Sequence, residues 1–129
     1  MREYKGRVIF EGQAEAEVVY SSESLLIYGG IDVDTGIIIE HGHPLEGKSV
    51  KGKILVFPEA KGSTVGSYTL LQLQYNNVAP AGIINKECEP IVATGVIMTR
   101  IPCVDNIEIE HLATTTKLRI EGEMVQVVK

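Results

Sequence analysis

Cysteine is scarce in this chain: there are two in 129 residues, Cys88 and Cys103. They stand too far apart in sequence for a CxxC redox or metal pair and are too few for a disulfide framework. Both are read as buried free thiols. Basic clusters are missing as well. The formal charge is −5, from 12 Lys and Arg against 17 Asp and Glu, and no basic stripe appears, which excludes the footprint of non-specific nucleic-acid binding. No apolar run approaches the roughly 20 residues needed to cross a bilayer. The opening Met1-Arg2-Glu3-Tyr4-Lys5-Gly6 has no apolar core of the kind a signal peptide uses; the chain is expected in the cytoplasm. Internal repeats, low-complexity tracts and a dividing linker are absent too. What remains is ordinary globular composition, 44% apolar and 22% charged, at a length that suits one domain over 1–129.

Strand signals dominate. Tyr4 to Phe10 alternates loosely and is punctuated by Gly12, and Ala14 to Tyr20 alternates more cleanly. Leu25 to Tyr28 runs into Gly29-Gly30, and Ile37-Ile38-Ile39 resumes a short strand after a turn-rich segment. Lys53 to Phe57 reads as a buried strand ending at Pro58. The spacing of Leu70, Leu71, Leu73 and Val78 predicts a helix from about Ser67 to Asn76 or Asn77, stopped by the Asn pair and Pro80. Ala81 to Asn85 reads as a strand, and Pro90 as the first-turn proline of a second helix over Ile91 to Met98. Ile101 to Val104 is extended, and Ile107 to Glu110 alternates like a strand or loop. Thr116 to Ile120 and Met124 to Val128 form a hairpin turned at Glu121-Gly122-Glu123. The expected class is α/β, with two short helices covering part of a mixed sheet.

The chemistry gathers at Gly62-Ser63-Thr64-Val65-Gly66-Ser67-Tyr68, between the buried strand and the first helix. Such a turn aims backbone N–H groups and small hydroxyls at one spot, and the helix dipole adds partial positive charge. The lysine of a P-loop is missing after Gly66, and the Gly-x-Ser-x-Gly of a hydrolase elbow is absent because Gly62 directly precedes Ser63. The plain reading makes Ser67 an N-cap and lets Ser63 and Thr64 close the turn. The functional reading makes the turn an anion or proton-transfer site, with Lys61, Ser63, Thr64, Ser67 and Thr69 as its polar groups and Gly62 and Gly66 letting a ligand approach the backbone. A serine takes a proton only as alkoxide, which demands positive charge or several N–H donors nearby.

Gly29-Gly30-Ile31-Asp32-Val33-Asp34-Thr35-Gly36 has the acidic spacing that starts a calcium loop but lacks its later glycine and glutamate, so an Asx-stabilised turn is the plainer reading. His41 and His43 are read as exposed loop histidines, with metal ligation or phosphoryl transfer as the alternatives. His111 carries no signal of its own.

Three blocks together resemble one family. They are Tyr28-Gly29-Gly30-Ile31-Asp32 with Thr35-Gly36; His43-Pro44-Leu45 with Gly47; and Gly52-Lys53 with Pro58 through Gly62-Ser63-Thr64-Val65-Gly66-Ser67. Ala79-Pro80-Ala81-Gly82-Ile83-Ile84 continues the pattern. Over most of its length the chain is similar to the small subunit of aconitase X enzymes. The resemblance implies a swivelling β/β/α domain with a mixed, barrel-like sheet. It implies docking on a separate large subunit that carries a 4Fe-4S cluster, and removal of water from a hydroxy acid. In archaeal members that acid is (R)-5-phosphomevalonate of the mevalonate route to isoprenoids, and the product is trans-anhydromevalonate 5-phosphate.

The resemblance further implies Ser63 as proton acceptor, Lys61, Gly62, Thr64, Gly66 and Ser67 around the substrate, and Gly29, Gly30 and Asp32 shaping the site or the interface. No metal ligand is expected on this chain. Its two cysteines are fewer than the thiolates a cluster takes, which suits one half of a split site. Lys61 and Thr64 depart from the arginine and serine of the family pattern, and a lysine is a point charge that cannot hold a carboxylate or phosphate bidentately. The alternatives are dehydration of another hydroxy acid such as a hydroxyproline, a phosphohistidine carrier using His41 or His43, and a non-catalytic anion-binding module.

Overall fold

The computed structural model describes residues 2–128. In chain order the strands are β1 (Glu3–Lys5), β2 (Arg7–Phe10), β3 (Gln13–Tyr20), β4 (Leu25–Leu26), β5 (Ile54–Phe57) and β6 (Ala60–Lys61). Helix α1 (Gly66–Tyr75), β7 (Gly82–Asn85), helix α2 (Pro90–Thr99), β8 (Cys103–Asp105), β9 (Lys117–Glu121) and β10 (Met124–Val127) follow. The main sheet has the order β1-β10-β9-β3-β5-β7-β8-β2. Pairing is parallel from β3 through β8 and antiparallel elsewhere.

β1 and β2 close the sheet. The stretch expected as one strand from Tyr4 to Phe10 is cut at Gly6, and its two pieces pair at opposite ends of the strand order. Because a single residue joins those ends, the sheet curls into a nearly closed barrel. Gly6 donates its N–H to the Glu123 carbonyl at 2.8 Å. A Cβ on Gly6 would stand 2.4 Å from both the Asp105 carbonyl oxygen and Val104 Cγ1, so the closure point has no room for a side chain.

The run Ile54-Leu55-Val56-Phe57 is buried on both faces, as a central parallel strand should be. Ile54 and Val56 face the barrel interior with Ile84, Val104, Leu118, Ile120 and Val125. Leu55 and Phe57 face the other way, where Leu70 and Leu73 of α1 and Val92 and Val96 of α2 cover the sheet. The helices meet closely because Gly95 lies against Leu70.

Both helices end as their residues suggest. Glu89 caps α2 through the N–H groups of Ile91 and Val92, with Pro90 in its first turn. Asn77 takes a left-handed conformation after α1, and the Val78 N–H closes back on the Leu73 carbonyl at 2.9 Å.

Two expectations are corrected. Ile37–Ile39 makes only isolated bridges, Ile37 with Ser49 and Ile38 with Ile31; neighbouring residues pair with different partners, so no ladder grows. The stretch expected as Ile107–Glu110 contributes instead to a short 3-10 turn at Ile109–Leu112, whose Ile109 and Leu112 are buried in the barrel core. No helix among the described residues is long and apolar enough to cross a membrane.

Candidate functional site

The strand β5 delivers the chain to Pro58, and β6 then pairs in parallel with β4, matching Leu25 to Ala60 and Leu26 to Lys61. This small ladder is what brings the Gly29-Gly30 block beside the Gly62–Ser67 turn. Gly62 has φ +103° and sits under Leu26; an L side chain there is strained whatever the space.

Ser63 is exposed, and its Oγ accepts the Val65 N–H at 3.3 Å. Its carbonyl accepts the Gly66 N–H at 3.0 Å, Thr64 accepts from Ser67 at 3.4 Å, and Val65 accepts from Tyr68 at 3.0 Å. The turn thus spends the N–H groups of Val65, Gly66, Ser67 and Tyr68 on itself. Those of Ser63 and Thr64 have no partner among the described residues. One donor already points at the hydroxyl oxygen that would carry charge. The dipole of α1 adds to it, with no acidic residue in its first turn.

Ser67 is not the N-cap. Val65 holds that position without a side-chain bond, while the buried Ser67 hydroxyl donates to the Ile91 carbonyl at 2.8 Å. Gly66 is likewise a contact residue: a Cβ there would meet Ile91 Cγ2 at 2.9 Å and the Tyr28 nitrogen at 3.4 Å. A Cβ on Gly30 would collide with the Leu26 carbonyl, while Gly29 turns with φ +84° into open space. Asp32 accepts the Asp34 N–H at 2.9 Å through its side chain and the Gly36 N–H at 2.8 Å through its carbonyl. It is an Asx turn that shapes this loop.

Sequence reasoning missed Glu40. Its Oε2 lies 2.7 Å from Lys61 Nζ, and its Oε1 accepts the Leu26 N–H at 2.7 Å. Burial pushes this carboxyl up, but the Lys61 hydrogen bond, the Leu26 N–H and the lysine's charge outweigh it and hold Glu40 below the usual carboxylate range. Glu40 therefore clamps both strands of the small ladder and neutralises the cation beside Ser63. No local pattern marks it, because it lies outside every recognisable motif.

His43 is buried, against expectation. Its Nδ1 accepts the Leu45 N–H at 3.0 Å, so the proton sits on Nε2, 3.0 Å from the Ser24 carbonyl. Both nitrogens are engaged, which leaves His43 unsuited to carrying a phosphoryl group. His41 is fully exposed and 3.8 Å from Glu46. His111 stacks on Tyr4 at 5.3 Å between ring centroids.

The turn separates two concavities. A mostly apolar cleft of about 220 Å³ is lined by Thr64, Ser67, Tyr68, Ile91, Thr94 and Met98. A polar one of about 500 Å³ is lined by Ser24, Glu59, Lys61 and Lys86 among others. Around the turn Tyr28, Val65 and Tyr68 expose 55%, 43% and 61% of their surfaces, which is unusual for large apolar groups in one neighbourhood. Among the described residues no group of three or more His, Cys, Asp or Glu could hold a metal ion. With two cysteines in all, the residues present do not fit an iron–sulfur cluster.

Comparison with known proteins bears on this arrangement. A family model described as the aconitase X swivel domain matches residues 3–128. The phosphomevalonate dehydratase small subunit of Methanosarcina mazei is 55% identical over 105 residues, covering 81% of this chain and 73% of the relative. That of Thermococcus kodakarensis is 47% identical over 123 residues, covering 95% and 92%. A crystal structure of Thermococcus kodakaraensis aconitase X in its holo form superimposes with a TM-score of 0.97 at 44% identity, over 100% of both chains. A solution NMR structure of a UPF0107 protein gives 0.89 at 41% identity, covering 99% of this chain and 100% of the other.

Proposed function

Because the chain belongs to the aconitase X swivel-domain family, we propose that it is the small subunit of a hydro-lyase that dehydrates (R)-5-phosphomevalonate to trans-anhydromevalonate 5-phosphate. The substrate assignment rests on the names of its relatives. The observation that carries the chemistry is Ser63: an exposed hydroxyl at the head of α1 with the Val65 N–H 3.3 Å from its oxygen.

In this reading Ser63, as alkoxide, takes the proton from the carbon next to the substrate carboxylate. The electrons of that C–H bond form the double bond as hydroxide leaves the next carbon. The Val65 N–H and the positive end of α1 lower the cost of the alkoxide. Lys61 meets an anionic group of the substrate in exchange for Glu40, and Thr64 lines the adjoining cleft. Gly62 and Gly66 keep the backbone close, and Ser67 supports the turn from below. Gly29, Gly30 and Asp32 shape the neighbouring loop.

The large subunit covers the exposed surface around the turn and holds the 4Fe-4S cluster, for which this chain has no ligand set. This chain's own share of the reaction is to bind, orient and move one proton, as a single swivel-type domain working in the cytoplasm. For His43 the phosphohistidine alternative is weakened by its hydrogen bonds.

The test is formation of the unsaturated acid from (R)-5-phosphomevalonate under anaerobic conditions. Turnover is expected from this chain together with the large subunit and from neither alone. Turnover by the large subunit alone, at an equal rate, would remove the catalytic role from this chain.

A further inference from the structure

We infer that the polar concavity beside the Ser63 turn holds the phosphate of the substrate, and that Lys86 there selects phosphorylated hydroxy acids. The inference rests on the reading under which this chain serves a phosphomevalonate dehydratase. That substrate is anionic at both ends, with a carboxylate next to the carbon that loses its proton and a phosphate at the other. One lysine is a single point charge, too little for a phosphate near its second ionisation. The concavity has a second: Lys61 and Lys86 both line its volume of about 500 Å³. Lys61 stands just ahead of Gly62 and Ser63. The fold holds the two lysines together. The N–H groups of Lys86 and Glu87 both donate to the Pro58 carbonyl, at 3.0 and 3.1 Å, which fastens the end of β7 to the turn that leads into β6.

Another wall of the concavity, Ser22 to Ser24, is set in place by buried groups. The Ser21 hydroxyl accepts the Glu23 N–H and donates to the Glu23 carbonyl, each at 2.9 Å, and His43 Nε2 donates to the Ser24 carbonyl at 3.0 Å. The N–H groups of Ser22 and Ser24 are left without a partner among the described residues, and free backbone donors of this kind are what anion-binding concavities use. In the free chain each ammonium is held by a carboxylate. Glu40, 13% exposed, keeps the Leu26 N–H when Lys61 turns to a ligand. Glu110, paired with Lys86, is 63% exposed and returns to water, so exchanging it for a phosphate costs little. Glu23 and Glu59 also line the concavity, and Glu59 accepts the Ser24 hydroxyl at 3.1 Å. Their charge opposes an anion, and contact decides the balance. The ammoniums and N–H groups donate hydrogen bonds to phosphate oxygens, which the carboxylates cannot do. Loss of either lysine tips that balance against the phosphate.

The test is steady-state dehydration of (R)-5-phosphomevalonate by the anaerobically assembled enzyme carrying Lys86→Ala, Lys86→Arg or Glu110→Gln. For Lys86→Ala, KM is expected to rise about 10-fold or more, while kcat and the chain's own melting temperature hold. Lys86→Arg should recover most of the loss, and Glu110→Gln should leave KM unchanged or lower. An unchanged KM for Lys86→Ala overturns the assignment, and so does a fall in kcat at unchanged KM. If the wild-type assembly leaves phosphomevalonate untouched, the dehydratase reading falls, and amide NMR of the full chain titrated with methyl phosphate then decides the site by itself. Shifts at Ser22 and Ser24 that weaken in Lys86→Ala and are absent with acetate support it. No shifts overturn it.

Discussion

The Ser67 hydroxyl reaches the Ile91 carbonyl at 2.8 Å, which ties the first turn of α1 to the start of α2 immediately beneath Ser63. Alanine at 67 removes this buried hydrogen bond, at an expected cost of about 1 kcal/mol. Urea unfolding should show a lower midpoint at unchanged slope. Saturated turnover of the assembled enzyme should stay near that of the wild type, because the hydroxyl faces the helix and not the substrate. A collapse of kcat at full stability would put this hydroxyl back in the site.

Glu40 and Lys61 form a pair whose effects on stability and binding run in opposite directions. Glu40→Gln keeps an acceptor for the Leu26 N–H but loses the charge, at an expected cost of about 1 kcal/mol at neutral pH. The folded carboxyl lies below its usual value, so its contribution is present above the ordinary carboxylate range and disappears as pH falls through the folded value. The stability gap between wild type and variant should therefore close in acid. In the assembled enzyme the freed ammonium should leave KM unchanged or lower, whereas Lys61→Ala should raise KM on the order of 10-fold or more by removing a charge-assisted contact. A gap that widens in acid, or a raised KM for Glu40→Gln, contradicts this pairing.

Tyr68 stands one helical turn from Thr64 and exposes 61% of its surface. If the large subunit covers this face, Tyr68→Glu places a charge in a desolvated contact and should weaken assembly at least about 10-fold, with little change in the chain's own melting temperature. Analytical ultracentrifugation of the two subunits reads this directly. Unaltered assembly would move the interface elsewhere.

Much of this was legible in the residues, for identifiable reasons. The Ile54–Phe57 run is apolar at every position because the strand is buried on both faces, and Pro90 marks the start of α2 because a first-turn proline sacrifices no helical bond. The Gly/Ser stretch between an apolar strand run and helical spacing located the turn itself. What stayed hidden depends on residues distant in sequence. Gly6 looks like a gap in one strand, yet it closes the barrel between Glu123 and Asp105. Glu40 and Lys61 are joined only because β4 and β6 pair. His43 reads as a loop histidine until Leu45 and Ser24 are seen to take both its nitrogens. Ser67 carries every local mark of a cap, but the turn begins earlier and the hydroxyl finds Ile91 instead.

The central claim is that Ser63 accepts the substrate proton. Its most direct test is steady-state dehydration of (R)-5-phosphomevalonate by the anaerobically assembled enzyme carrying Ser63→Ala, with assembly measured in parallel. General-base removal predicts that kcat falls by about 10²–10⁴-fold while KM and affinity for the large subunit hold. Near-normal turnover by that variant would make Ser63 a turn residue and send the search for the proton acceptor to the large subunit.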